Sequence, residues 1–193
     1  MATTTRKTTK SKKIEKSVYL DYASNTPIDP SVISVVKKAS EVYFGNPSAL
    51  HKDGLRAKEA LTKARKDVAS VFDVHSDEII FCGSGTESDN MAISGILEGY
   101  LLKSKETTKN PHIIISAIEH SALFESAKFI RSSGVNVTLI PVDKEGIVNP
   151  KDVRDALTKD TIFVSVMYAN NEIGTIQPIS EIAKAIRHFK KHN

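Results

Sequence analysis

Four short apolar runs, at residues 78–82, 112–116, 135–141 and 161–168, recur with helix-like segments between them. This alternation constrains the fold more than any other feature of the chain. The runs are continuous: "IIIS" and "IFVSV" place apolar side chains on both faces of a strand. A strand needs that pattern when helices cover it on both sides, and such strands belong to parallel sheets. The segments at 87–103, 121–132, 150–158 and 180–192 carry apolar residues at helical spacing. Gly134 stands where a helix ends in a left-handed residue. The expectation is an α/β domain with a mostly parallel sheet and helices on both faces.

Upstream, "VYLDYASNTPIDP" reads as a short extended piece followed by a turn-rich loop. Thr26 and Asp29 each precede a proline and are held out of the helical region. Pro30 suits the first turn of a helix over 30–44, and "GNPS" breaks that helix. A second helix over 52–72 gathers Leu55, Leu61, Ala64, Val68, Val71 and Phe72 on one face.

Composition bounds the function classes. At 193 residues and 40% hydrophobic content the chain is long enough for one core. No apolar run approaches the roughly 20 residues that span a bilayer, so no membrane partner is expected. Cys82 is the only cysteine, which rules out an internal disulfide framework and points to a reducing, cytoplasmic setting. The net charge of +4 resides in residues 1–17, where Arg6, Lys7, Lys10, Lys12, Lys13 and Lys16 face Glu15 alone. That segment reads as a disordered basic tail, without the apolar centre of a secretory signal. The rest is close to neutral, so no specific nucleic-acid surface is expected.

The stretch "IIFCGSGTESDN" carries the first chemical signal. Gly83-Ser84-Gly85-Thr86 lies between an expected strand and an expected helix. A helix start offers unpaired N–H groups and a positive dipole end, which suit a phosphate. It is not a P-loop, because Glu87 follows Thr86, and Ser88 stands where the dinucleotide pattern needs its third glycine. Taken alone, the turn fits an ordinary strand-to-helix turn with a cap better than it fits a phosphate site. Two other residues alter the weighing. His120, in "IEHSA", follows the run at 112–116, and Asn171, in "YANNEIG", follows the run at 161–168. In a parallel sheet Gly85, His120 and Asn171 all stand at the carboxyl edge, where open α/β sheets bind ligands.

"YLDYASNTPIDP", "FGNPSALH", "IIFCGSGTESDN", "IEHSA" and "VMYANNEIGTIQPI" occur in this order. With these segments the chain, from Val18 onward, resembles the cysteine desulfurases, pyridoxal-phosphate enzymes of the class V aminotransferase group. The resemblance implies the large domain of the aspartate aminotransferase-like fold, with residues 18–193 its amino-terminal part. It implies pyridoxal 5'-phosphate as cofactor, its phosphate held by Gly85 and Thr86 and its ring covered by His120, which assists proton transfer. Asn171 is implied to bond the phenolic oxygen of the ring. The implied reaction converts L-cysteine to L-alanine and passes sulfur, as a persulfide, to an acceptor or scaffold protein for iron–sulfur clusters and thiolated nucleosides. A homodimer or a complementing carboxyl-terminal fragment is the implied assembly.

Several residues are set aside. Asn170 is expected to hold its loop through backbone bonds, with Glu172 shaping the loop or approaching substrate. His51 and Lys52 are read as loop and surface residues. Cys82, at the end of an expected buried strand, is read as a small core residue and not as the sulfur acceptor. The family's "Asp-Ala-x-Gln" and "Ser-x-His-Lys" segments do not occur. The lysine that holds the cofactor, the acid beside the ring nitrogen and the catalytic cysteine are therefore missing. The expectation is a truncated or split gene product, inactive alone. Competing readings are another class V enzyme, such as a selenocysteine lyase or a kynureninase-like hydrolase, and a non-catalytic remnant or partner subunit.

Overall fold

A computed structural model describes residues 17–103 and 110–192. The basic tail expected at 1–17 lies, apart from Ser17, outside them.

Three strands form one parallel sheet: β1 (His112–Ser116), β2 (Asn136–Ile140) and β3 (Thr161–Ser165), in the order β2-β1-β3. β1 is central, with Ile114 level with Thr138 on one side and Val164 on the other. All five of its residues are buried, so its run of isoleucines has no polar alternation.

The two faces of β1 serve two cores. Ile113 and Ile115 pack with Ile93 of α3 (Gly85–Lys103) and with Leu123, Ala127 and Ile130 of α4 (Ser121–Ser132). Ile114 packs on the other face with Val153 of α5 (Pro150–Ala156), Leu157, and Ile182 of α6 (Ile179–His192). Burying each isoleucine contributes about 1.5–3 kcal/mol, so β1 anchors the domain.

The local stops follow from sequence. α4 ends at Gly134, whose φ of 92° is a left-handed value. The Gly134 N–H bonds the Arg131 carbonyl at 3.1 Å and the Val135 N–H bonds the Ile130 carbonyl at 3.3 Å. This is a Schellman closure, and it delivers the chain directly into β2. Asn149 caps α5, its side chain accepting from the Lys151 N–H at 3.0 Å, with Pro150 in the first turn.

Two expectations are corrected. Residues 78–82 form no strand. Ser76–Glu78 makes a single 3₁₀ turn, and the following residues pair with no strand among the described residues. An extended segment becomes a strand only beside a partner, and the sheet as described ends at β2 and β3. Helix α2 (Lys52–Phe72) holds the segment instead: Arg65 Nε donates to the Ile79 carbonyl at 3.1 Å, and its guanidinium stacks on Phe81 at 5.0 Å. Cys82 is consequently half-buried and not a core residue. The remaining differences are at element ends; α3 begins at Gly85, two residues before the expected start.

The amino-terminal region packs differently. α1 (Pro30–Val42) is capped by Asp29, which accepts from the Ser31 N–H at 2.8 Å, yet none of its residues is buried. Val32, Ile33, Val35 and Val36 are all exposed. α2 buries only Gly54, Ala57 and Ala69.

Candidate functional site

The turn into α3 is built around Ser84. Its Oγ accepts from the Glu87 N–H at 3.1 Å, while the Glu87 carboxylate accepts from the Gly83 N–H. This is a close relative of the capping box, and it satisfies donors on either side of the helix start. The amides of Gly85 and Thr86, at the first two helical positions, have no acceptor within the helix. Beyond its chain neighbours and the backbone of its own helix, no atom of the described residues lies within 4 Å of where a Cβ on Gly85 would stand. Nothing in the described residues demands glycine there, and the space is open for a group approaching the backbone.

His120 caps α4. Its Nδ1 accepts from the Ala122 N–H at 3.1 Å, so the neutral imidazole carries its proton on Nε2. Thr86 and His120 meet: together with Asn90, Ser121, Glu125 and Ser126 they line a cavity of about 380 Å³ between α3 and α4. Below the two helix starts, Asn90 Nδ2 donates to the Thr86 carbonyl at 2.8 Å and Ser126 Oγ donates to Asn90 Oδ1 at 3.0 Å. The cavity is thereby braced from both helices.

Asn171 stands at the same edge of the sheet but does not line this cavity. Its Nδ2 donates to the Ala23 carbonyl and to Glu172 Oε1, both at 3.1 Å, fastening the amino-terminal loop beside the site. Asn170 holds the loop as expected: Nδ2 donates to the Ile118 carbonyl at 3.0 Å, and Oδ1 accepts from the N–H groups of Glu172 and Ile173. His51 caps α2 through an Nδ1 bond from the Gly54 N–H at 3.3 Å.

Glu119 escaped the sequence reading. One carboxylate oxygen accepts from Ser116 Oγ at 2.6 Å and from the Met167 N–H at 2.7 Å. The other accepts from Ser165 Oγ at 3.2 Å. The available signal was an acid four residues past three consecutive isoleucines, directly before the histidine. Gln177 is similar: buried, it accepts from the Val148 N–H and donates to the Gly146 carbonyl, both at 2.8 Å.

A larger cavity, about 710 Å³, opens at the opposite edge of the sheet beside His112, Arg131, Thr138 and Asp160. Its histidine is committed. His112 Nδ1 and Nε2 each lie 2.8 Å from a threonine hydroxyl, on Thr161 and Thr138. Burial holds its pKa below the usual histidine value, against a weaker opposing pull from Asp160. Size alone does not make this the reactive site.

The aminotransferase class-V family profile matches residues 18–192. The chain belongs to the class V aminotransferase family. Among its relatives, the cysteine desulfurase IscS of Dictyoglomus turgidum is 44% identical over 176 residues, covering 91% of this chain and 43% of that protein. The cysteine desulfurase IscS of Methanosarcina thermophila is 43% identical, covering 88% of this chain and 40% of that protein. A solved structure described as SspA in complex with cysteine superposes with a TM-score of 0.81 at 31% identity, over 90% of this chain and 48% of that one. The chain thus spans less than half the length of these class V relatives. Its open parallel sheet, layered by helices, is part of their fold. Among the described residues no helix is long and apolar enough to cross a membrane, and no three His, Cys, Asp or Glu side chains cluster as metal ligands.

Proposed function

We propose that residues 18–193 are the amino-terminal part of the cofactor-binding domain of a cysteine desulfurase, seating pyridoxal 5'-phosphate at the carboxyl edge of the sheet. The observation that carries this reading is the shared cavity, lined by Thr86 from the first turn of α3 and His120 from the cap of α4. The donor set fits the group. A phosphate ester suits the first amides of α3 and the Thr86 hydroxyl, with Gly85 outside the cavity lining but leaving its backbone open, and a flat imidazole suits the face of a pyridine ring. When bound, the cofactor supplies a ring that absorbs electrons from the substrate.

The chain's own residues work around that chemistry. Thr86 and the first amides of α3 hold the phosphate. His120, with its proton on Nε2, covers the ring and moves a proton. Asn171, whose Nδ2 donates to the Ala23 carbonyl, would hold the phenolic oxygen through that same amide. L-cysteine is the proposed substrate, supported by relatives named cysteine desulfurase and by the fold neighbour solved with cysteine. In this reading L-alanine is the product, and sulfur leaves as a persulfide for an acceptor or scaffold protein serving iron–sulfur clusters and thiolated nucleosides. The single cysteine is in keeping with a cytoplasmic setting.

The covalent lysine, the ring-nitrogen acid and the sulfur-accepting cysteine are proposed to come from polypeptide outside these 193 residues, whether continuous with them or separate. The outer edge of β3 supports this, because a groove of about 510 Å³ there is lined by Ile162, Phe163, Val164, Ile186 and Phe189. An added strand would cover it; a homodimer is the competing assembly.

Calorimetric titration with pyridoxal 5'-phosphate tests the seat. Binding weakened about tenfold, or about 1.4 kcal/mol, by Thr86→Val and by His120→Ala supports it. No binding, or binding indifferent to both substitutions, overturns it. Alanine and sulfide production by the 193-residue chain alone would overturn the need for a complement.

A further inference from the structure

β1 ends at Ser116, and His120 begins the next helix four residues later. The turn between them is bonded, residue by residue, to the chain leaving β3. The Ile118 carbonyl accepts from Asn170 Nδ2 at 3.0 Å. The Glu119 carboxylate then takes three donors from the two strand ends: Ser116 Oγ at 2.6 Å, the Met167 N–H at 2.7 Å and Ser165 Oγ at 3.2 Å. The bonds to Ser165, Met167 and Asn170 bridge 46 to 52 positions of sequence. Hydrogen bonds to an ionised acceptor are roughly twice as strong as neutral ones, and partial burial strengthens them further. His120 is exposed, and its own bond, to the Ala122 N–H, lies within its own helix cap. The direction in which its ring leaves the sheet is therefore set by the peptide before it.

From this arrangement we infer that Glu119 is a positioning residue. It locks the β1–α4 turn to the β3–α6 loop, so that the His120 ring stands over the cavity and moves only with the Asn170–Asn171 loop. The inference rests on the pyridoxal-phosphate reading for its function, but the lock is a property of the protein alone. It makes the ring seat and the phosphate seat separable: Thr86 and α3 hold the phosphate without Glu119.

The test uses the full chain, with inorganic phosphate and pyridoxal 5'-phosphate as separate probes in calorimetry, and amide hydrogen exchange as a ligand-free readout. Glu119→Ala is expected to weaken pyridoxal 5'-phosphate about tenfold while leaving phosphate within about twofold, since only the ring contact depends on the lock. Exchange at Met167 and across 118–122 should rise about tenfold, as expected when a local opening loses one or two bonds. Glu119→Gln should recover most of both effects, because an amide oxygen can still accept from the Met167 N–H and its NH₂ can donate to a serine hydroxyl. Combined with His120→Ala, Glu119→Ala should add little further loss. Should Glu119→Ala fail to fold, Ser165→Ala removes one bond and is expected to give a smaller effect of the same pattern.

Equal weakening of both probes, or no weakening of either, overturns the inference, as does unchanged exchange. If the wild-type chain binds neither probe, or Thr86→Val is without effect, the proposed function fails. Raised exchange in Glu119→Ala would then uphold the lock and refute its role beneath a cofactor.

Discussion

At the amino edge of the sheet His112 is buried to 7% exposure, with both ring nitrogens bonded to threonines of the flanking strands. At the carboxyl edge His120 is exposed, one nitrogen capping α4 and the other carrying a proton beside a cavity. The same side chain, twice within nine residues of sequence, is thus a rivet at one edge and, in the proposed function, a tool at the other. The difference is one of commitment. A buried imidazole must satisfy both nitrogens inside the protein, which fixes it and leaves nothing for a ligand. An exposed cap uses one nitrogen and keeps its face and its proton available. The larger cavity lies beside the committed histidine, the smaller beside the uncommitted one, so chemistry and not volume distinguishes the edges.

The strongest way to break this contrast is to remove each ring. His112→Ala empties the space of a buried ring and takes one partner from each of the half-buried Thr138 and Thr161 hydroxyls, Thr161 keeping its bond from the Thr158 N–H at 2.8 Å. A loss of about 2–4 kcal/mol in urea unfolding is expected, with no selective effect on cofactor affinity. His120→Ala removes only a cap, so its stability cost should stay near 1 kcal/mol while cofactor binding falls. The reverse pattern would dissolve the distinction between the two edges.

Thr86→Val comes next. It keeps the shape of the side chain and deletes the hydroxyl, and phosphate affinity should fall about tenfold with stability nearly unchanged. Ser84→Ala is expected to cost about 1 kcal/mol of stability, because the Glu87 N–H loses its acceptor. It tests whether the carboxyl edge is held in place by its own cap, and an unchanged urea midpoint would show that Glu87 alone suffices.

Much of this was legible in the sequence, for reasons that differ by element. The isoleucines of β1 announce burial on two faces, and Gly134 announces the end of α4. Local chemistry sets both. The strand expected at 78–82 failed because its composition is that of a buried strand, whereas a ladder needs a neighbour that composition does not specify. Thr86 and His120 were expected to gather as turns after parallel strands, but the residues before Thr86 form no strand; the packing of α3 on α4 brings the two to one cavity instead. Glu119 and Gln177 stayed hidden for the opposite reason. Apart from Ser116, three residues before Glu119, the partners that define their roles lie 29 to 48 positions away, and no local pattern reveals a side chain bonded across the fold. The exposed apolar row of α1 was read correctly as a helix, but a helical pattern does not say what covers it.

The smallest effect sharpens the contrast most, because it leaves every atom of the ring in place and changes only a proton. Burial lowers the His112 pKa from the ordinary 6.5, so the unfolded chain takes up a proton at a higher pH than the folded one. Stability from this group is therefore complete above about pH 6.5, where both states are neutral, and is lost as pH falls through the folded-state value. Urea midpoints measured from pH 7.5 down to 5 should decline, by less than the His112→Ala deletion costs. Asp160 opposes the shift, and neutralising it with Asp160→Asn should push the His112 pKa lower and steepen the decline. His112→Gln, which can still bond both threonines, should flatten it. A decline that survived this substitution would mean that acid acts elsewhere in the domain, and that the amino edge is not governed by its histidine.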